Sequence, residues 1–133
     1  MKAIFILAMG LFASTAFAQE ACPIDDGTPN RHQSIVAAVK ATKSCNQAAS
    51  IAIACEYGAS GDVEIAGAAA DICGVEMEQN GATKADHRLL TEMYNACNAQ
   101  WGKRQGTLSE SSNAFCQMEA TRWMANLTSG NNE

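Results

Sequence analysis

Cys22, Cys45, Cys55, Cys73, Cys97 and Cys116 are the most reactive side chains of this 133-residue sequence. Thiolates hold zinc or cycle as a redox pair when they are set close together. This chain has no C-x-x-C and no H-x-x-x-H, and the cysteines from Cys45 onward are spaced by 10, 18, 24 and 19 residues. Such wide spacing fits neither use, so no metal site is expected. An even number of cysteines in a small exported chain implies a framework of up to three structural disulfides.

The other candidate chemistry is thinner. Asp86-His87 is the one place where a histidine adjoins a carboxylate. The pair resembles the His-Asp of secreted phospholipases A2, which are also small, helical and disulfide-rich. Here the order is reversed and no glycine-rich calcium loop is evident. Adjacent residues on a helix point about 100° apart, so the two do not face each other. Ser109, Ser111 and Ser112 lack a G-x-S-x-G elbow and read as capping residues of a last helix. Glu56, Glu64, Glu76, Glu78 and Glu92 offer carboxylate pairs, but in an acidic helical protein these form a solvated face. Asn126-Leu127-Thr128 matches a glycosylation sequon, which matters only in a host that glycosylates. No catalytic residue and no cofactor site is expected. The alternative is a small phospholipase-like secreted hydrolase using Asp86-His87 or a carboxylate pair.

The first 18 residues, MKAIFILAMGLFASTAFA, carry Lys2, an apolar stretch from Ala3 to Ala13 and the A-x-A site Ala16-Phe17-Ala18. This is the pattern of a cleaved signal peptide, and the apolar run is too short to span a bilayer. Gln19-Glu20-Ala21 before Cys22 lacks the aliphatic residue of a lipobox, so no stable membrane anchor is expected. Localisation is therefore expected to be periplasmic or secreted. Without Lys2, 8 basic side chains face 14 acidic ones, a net charge of −6. A nucleic-acid binder needs the opposite sign to displace counterions from phosphates. A polybasic membrane-surface protein is excluded for the same reason.

Residues 19–30 read as irregular, with Pro23, Asp25-Asp26-Gly27 and Thr28-Pro29 as turn and helix-start chemistry. Thr28 is the expected cap of a first helix that buries Ile35, Val36 and Val39. Ser44 caps a second over Cys45 to Tyr57. A third starts at Ser60 or Asp62 and carries Val63, Ala66, Ala70, Cys73 and Met77 on one stripe. The fourth runs from Thr83 to Trp101, with Leu89, Met93 and Cys97 in line. The last is capped by Ser109 and turns Cys116, Ala120, Trp123 and Leu127 inward. His32 is expected near a helix start, exposed, and both tryptophans in the core. Residues 129–133 read as a disordered polar tail. No segment alternates with a period of two, so the fold class is all-α, a compact bundle of four to five short helices within residues 31–128.

Sequence alone leaves many pairings of six cysteines open. In antiparallel hairpins, facing residues lie about equally far from the turn. The turn at 58–61 then sets Cys73 opposite Cys45, and the turn near Arg104 sets Cys97 within about one helical turn of Cys116. Cys45–Cys73, Cys97–Cys116 and Cys22–Cys55 are favoured. Cys55–Cys73 with Cys22–Cys45 is the rival set.

Ala54-Cys55 through Cys73, then Tyr94, Cys97, Gln100-Trp101 and Cys116, resembles the small exported LprI-type lysozyme-inhibitor domain. Gln100 adjoins Trp101 directly, unlike the Gln-x-x-Trp of that family, and Asn113-Ala114-Phe115 lacks its arginine before the last cysteine. Gly106-Thr107 to Ala114-Phe115-Cys116 is also similar to part of an exported bacterial family without a described function. The resemblance implies a non-enzymatic protein-binding module that inhibits a lysozyme-like hydrolase. An acidic surface fits a cationic hydrolase or toxin as partner. An immunity or effector protein is the further alternative.

Overall fold

The computed structural model describes residues 21–130. Five α-helices follow one another: α1 Arg31–Lys40, α2 Cys45–Ala54, α3 Asp62–Gln79, α4 Lys84–Cys97 and α5 Thr107–Gly130. A π-helical turn, Asn98–Gly102, extends α4. No strand occurs among the described residues, and no described helix is long and apolar enough to cross a membrane. The fold is an all-α bundle. The expected signal peptide lies outside the described residues.

Local chemistry explains most helix ends. Ser44 caps α2 by accepting from the Gln47 amide at 3.3 Å. The Glu76 carboxylate takes the neighbouring Cys45 amide at 2.6 Å, placing negative charge at the positive end of that helix. Thr83 and Asp86 form a reciprocal capping box at the start of α4. The first helix departs from expectation. The Thr28 amide is spent in a turn with the Asp25 carbonyl at 3.0 Å, and Asn30 (φ 52°) becomes the residue before the helix. Asparagine tolerates this left-handed backbone better than most side chains. The last helix starts two residues before the expected Ser109 cap, directly after Gly106 (φ 107°). Its far end carries helix to Gly130, past the expected boundary at 128.

α3 is the central element. It packs against α1, α2 and α5, while α4 packs against α5. Ala48, Ala49, Ala52, Ala66 and Ala69 are fully buried between α2 and α3, where small side chains let the backbones approach closely. Ile35, Val39, Ile65 and Met118 fill the same cluster. A second cluster joins Cys45, Cys73, Met77, Met124 and Ala125, with Leu90 and Met93 of α4 packed on it.

Two stripes depart in part from expectation. On α3, Val63 is exposed and the buried line is Asp62, Ile65, Ala66, Ala69, Cys73 and Met77. On α5, the buried residues are Ser111, Met118, Ala120, Thr121, Met124, Ala125 and Thr128, so Ala120 is inward as expected, while Trp123 and Leu127 face outward. On α5 the physical reason is local satisfaction of hydroxyls. Thr121 donates to the Gln117 carbonyl at 2.9 Å, and Thr128 to the Met124 carbonyl at 3.0 Å. A hydroxyl bonded to its own helix one turn back can be buried at little cost.

The three disulfides are Cys22–Cys55, Cys45–Cys73 and Cys97–Cys116. They tie the N-terminal segment to the end of α2, α2 to α3, and α4 to α5. The rival pairing is absent. Such a set of bridges belongs to an oxidising extracellular or periplasmic compartment. In the chain-entropy model each contributes roughly 3 kcal/mol, against a net stability of roughly 5–15 kcal/mol for a small domain. An alanine-rich core adds little area per residue. Reduction is therefore expected to lower the thermal midpoint steeply or abolish the cooperative transition. Circular dichroism melts with and without reductant check this, and coincident melts would refute it.

Candidate functional site

Asp86 and His87 do not act on each other. The Asp86 carboxylate accepts from the Thr83 amide at 2.7 Å and the Thr83 hydroxyl at 2.6 Å. The side-chain bond first, and the backbone bond second, hold its pKa below the ordinary 3.8. Its contribution to stability is present above that pH and fades only as pH falls through the lowered value. His87 turns instead to Glu78, with Nε2 at 2.9 Å from its carboxylate. His32, expected to be exposed, is only partly so and pairs with Glu64 at 2.7 Å. Both histidines thus bind carboxylates of α3, one from α1 and one from α4.

The serines are also explained structurally. Ser111 is fully buried, and its Oγ donates to Asp62 Oδ2 at 2.7 Å. Its hydrogen-bond partner is a carboxylate and not an imidazole. Asp62 itself is fully buried and gathers three backbone amides: Tyr57 at 2.9 Å, Gly58 at 2.8 Å and Ala59 at 3.2 Å. With Ser111 these four donors fill the acceptor capacity of a carboxylate. This knot ends α2 early, since the amides of residues 57–59 turn to Asp62 and leave the helix. The second helix therefore closes at Ala54 and not at the expected Tyr57. Arg31 lies over the Tyr57 ring at 4.9 Å and pairs with Asp26 at 3.1 Å, closing the same corner. Among the described residues no group of three or more His, Cys, Asp or Glu side chains could hold a metal ion.

Two surfaces stand beside these structural roles, the first of them sharing Glu64 and Glu78 with the histidine pairs. The first is the outward face of α3. Glu64, Asp71 and Glu78 recur at seven-residue spacing along it, with Val75 exposed beside them. Gly67 and Gly74 lie between the carboxylates, and a Cβ at either would meet nothing within 4 Å. Asp71 also lines a cleft of about 330 Å³ with Thr42, Lys43, Ile72 and Glu76. Charge is concentrated on this part of the chain. Residues 21–79 carry eight carboxylates against three basic side chains, and residues 80–130 carry four against five.

The second surface is a groove of about 510 Å³ between α4 and α5. The Cys97–Cys116 disulfide is in its lining, with Met93, Ala96 and Ala120, and Gln100 and Glu119 supply polar groups. Trp123 stands at its edge, 50 % exposed. Leu127 and Leu89, each one turn from a lining residue, continue the apolar strip and are also exposed. Sequence reasoning put Trp123 in the core and so missed this surface. The available signal was the competing line of Ser111, Thr121 and Thr128. Trp101 is partly buried, with Arg104 over its ring at 5.0 Å.

The Asp62 knot makes two measurable demands. Ser111→Ala is expected to cost about 1–3 kcal/mol in chemical denaturation of the oxidised protein, and Asp62→Asn more, because it leaves buried amides short of acceptors. A neutral effect of both would mean that the loop at 57–59 is held otherwise. Nearby, burial first and the negative charge of Asp62 second raise the Glu56 pKa above its ordinary 4.5. The unfolded chain loses this proton at lower pH than the folded chain, so stability falls as pH rises from 4.5 through the folded value. Glu56→Gln is therefore expected to raise the thermal midpoint at neutral pH, with the gain vanishing below about pH 4. A gain independent of pH would show a different cause.

The chain matches no family model, no curated protein and no solved structure.

Proposed function

We propose that the chain is an exported, non-enzymatic module that binds a cationic protein on the outward face of α3, with a lysozyme-like hydrolase as the partner class. The observation that carries this is the exposed line Glu64, Asp71 and Glu78, its two ends paired with His32 and His87 and Asp71 without an ion-pair partner among the described residues, with open glycines between the carboxylates. A glycine inside a helix costs about 0.5–1 kcal/mol relative to alanine. Neither Gly67 nor Gly74 has a positive φ, and neither is needed to fit a neighbour among the described residues. Close approach of a partner gives both a use. Carboxylates on either side then steer and register a basic surface. The bridged helices hold the face in one shape before contact, which lowers the ordering cost of association. The N-terminal leader supplies the route to a periplasmic or external space where such hydrolases act.

Binding of the oxidised protein to a panel of cationic lysozymes, measured by calorimetry at low and high salt, tests the reading. Affinity is expected to fall with salt, and Asp71→Lys to weaken it about fivefold to tenfold at low salt. Gly67→Ala is expected to stabilise the fold by about 0.5–1 kcal/mol, whereas Gly67→Leu blocks binding without unfolding the domain. Binding that is unaffected by Asp71→Lys and Gly67→Leu would move the site elsewhere. No binding to any cationic hydrolase would remove this partner class.

A further inference from the structure

We propose that His32 and His87 make the acidic face of α3 proton-responsive, so that it binds a cationic partner near neutral pH and releases it on acidification. This rests on the reading of that face as the partner surface and adds its regulation. His32 of α1 sets Nε2 at 2.7 Å from the Glu64 carboxylate, and His87 of α4 sets Nε2 at 2.9 Å from that of Glu78. The chain has two histidines in all. They come from different helices, yet both end on α3, one at each end of the line Glu64, Asp71 and Glu78. The imidazoles are 32 % and 49 % exposed, so solvent protons reach both.

Each histidine answers to one carboxylate of the line. α1 packs on α2 and α3. α2 carries no charged side chain, and Glu64 is the carboxylate of α3 in ion-pair contact with His32. Asp62, two residues before Glu64, is already supplied by four donors. On α1 itself, Arg31 goes to Asp26 and the Tyr57 ring, and Lys40 closes the other end of the helix. α4 packs on α5 and the π-helical turn. The turn carries no charge, and α5 carries Glu110, Glu119 and Arg122, of which neither carboxylate pairs with His87. On α4 itself, Asp86 is tied to Thr83, and Lys84, Arg88 and Glu92 are the other charges.

Histidine is the side chain whose ordinary titration falls between about pH 5 and 8, where ordinary carboxylates and amines keep their charge. With neutral imidazoles the line presents three carboxylates, a charge of −3. Two imidazolium ions on Glu64 and Glu78 bring it to −1 and leave Asp71 as the one carboxylate without an ion-pair partner. The two outer carboxylates are then spent on cations of the chain itself, and no longer steer a basic partner. Each imidazolium also stands where a cation of the partner would go, and like charge there opposes contact.

Calorimetric titration of the oxidised protein with an oligolysine peptide and with a cationic lysozyme, at low salt and at about pH 7.5 and about pH 5.5, tests this. Affinity for both is expected to fall about tenfold or more at the lower pH. His32→Gln with His87→Gln keeps a hydrogen-bond donor at each position and is expected to bind alike at both pH values. His32→Arg with His87→Arg carries the charge permanently and is expected to bind near neutral pH as weakly as the acidified wild type. Circular dichroism melts check that both variants fold. An equal fall with pH in the wild type and the glutamine variant overturns the proposal. So does undiminished binding by the arginine variant near neutral pH, or an oligolysine peptide that binds at neither pH. Release of oligolysine that needs the histidines, with no lysozyme bound, supports the proton response and removes the hydrolase as partner. Lysozyme bound equally at both pH values keeps the partner and overturns the response.

Discussion

A fully buried carboxylate organises one end of this molecule. Asp62 opens α3, and its oxygens collect the amides of residues 57–59 and the hydroxyl of Ser111. One side chain thus stops α2, shapes the turn into α3 and fixes the first part of α5 against it. A carboxylate taken out of water must be supplied with donors, and leaving them out costs more than the bonds themselves contribute. The chain supplies all four locally or from the helix packed alongside. Arg31 and Tyr57 then close the outer side of the same corner.

The rest of the bundle is held by covalent ties where its core is light. The interface of α2 and α3 is made of alanines, and the Cys45–Cys73 bridge crosses it. α4 lies on the outside of the bundle, on α5, and the Cys97–Cys116 bridge fastens it there. The Tyr94 hydroxyl adds a bond to Thr121 at 2.6 Å across the same seam. Polar contacts at the surface extend this scheme. Asn46 of α2 exchanges hydrogen bonds with Asn126 of α5 and accepts from Arg122 at 2.9 Å. His32 and His87 reach α3 from either side.

With Asp86, His87, Ser111 and Asp62 engaged in capping, pairing and burial, the surfaces left over are an acidic helix face and an apolar two-helix strip. They belong to different helices and differ in charge.

The sequence by itself disclosed the all-α class with four to five helices, the cap Ser44, the start of the fourth helix near Thr83, a preference for the observed disulfide set over its rival and the acidic character. These follow from short-range rules: which residue accepts the first free amides, and how far two positions lie from a turn. It did not determine which face of α5 points inward. Trp123 and Leu127 carry far more apolar area than Ser111, Thr121 and Thr128, yet the hydroxyl line is buried. Its polar atoms are met by carbonyls one turn back and by Asp62, a residue 49 positions away from Ser111. Pattern reading weighs each side chain against water, whereas the fold weighs it against the partner it will meet. That partner comes from another helix, so the inward face of α5, and with it the exposed groove at Trp123, was decided only by tertiary structure.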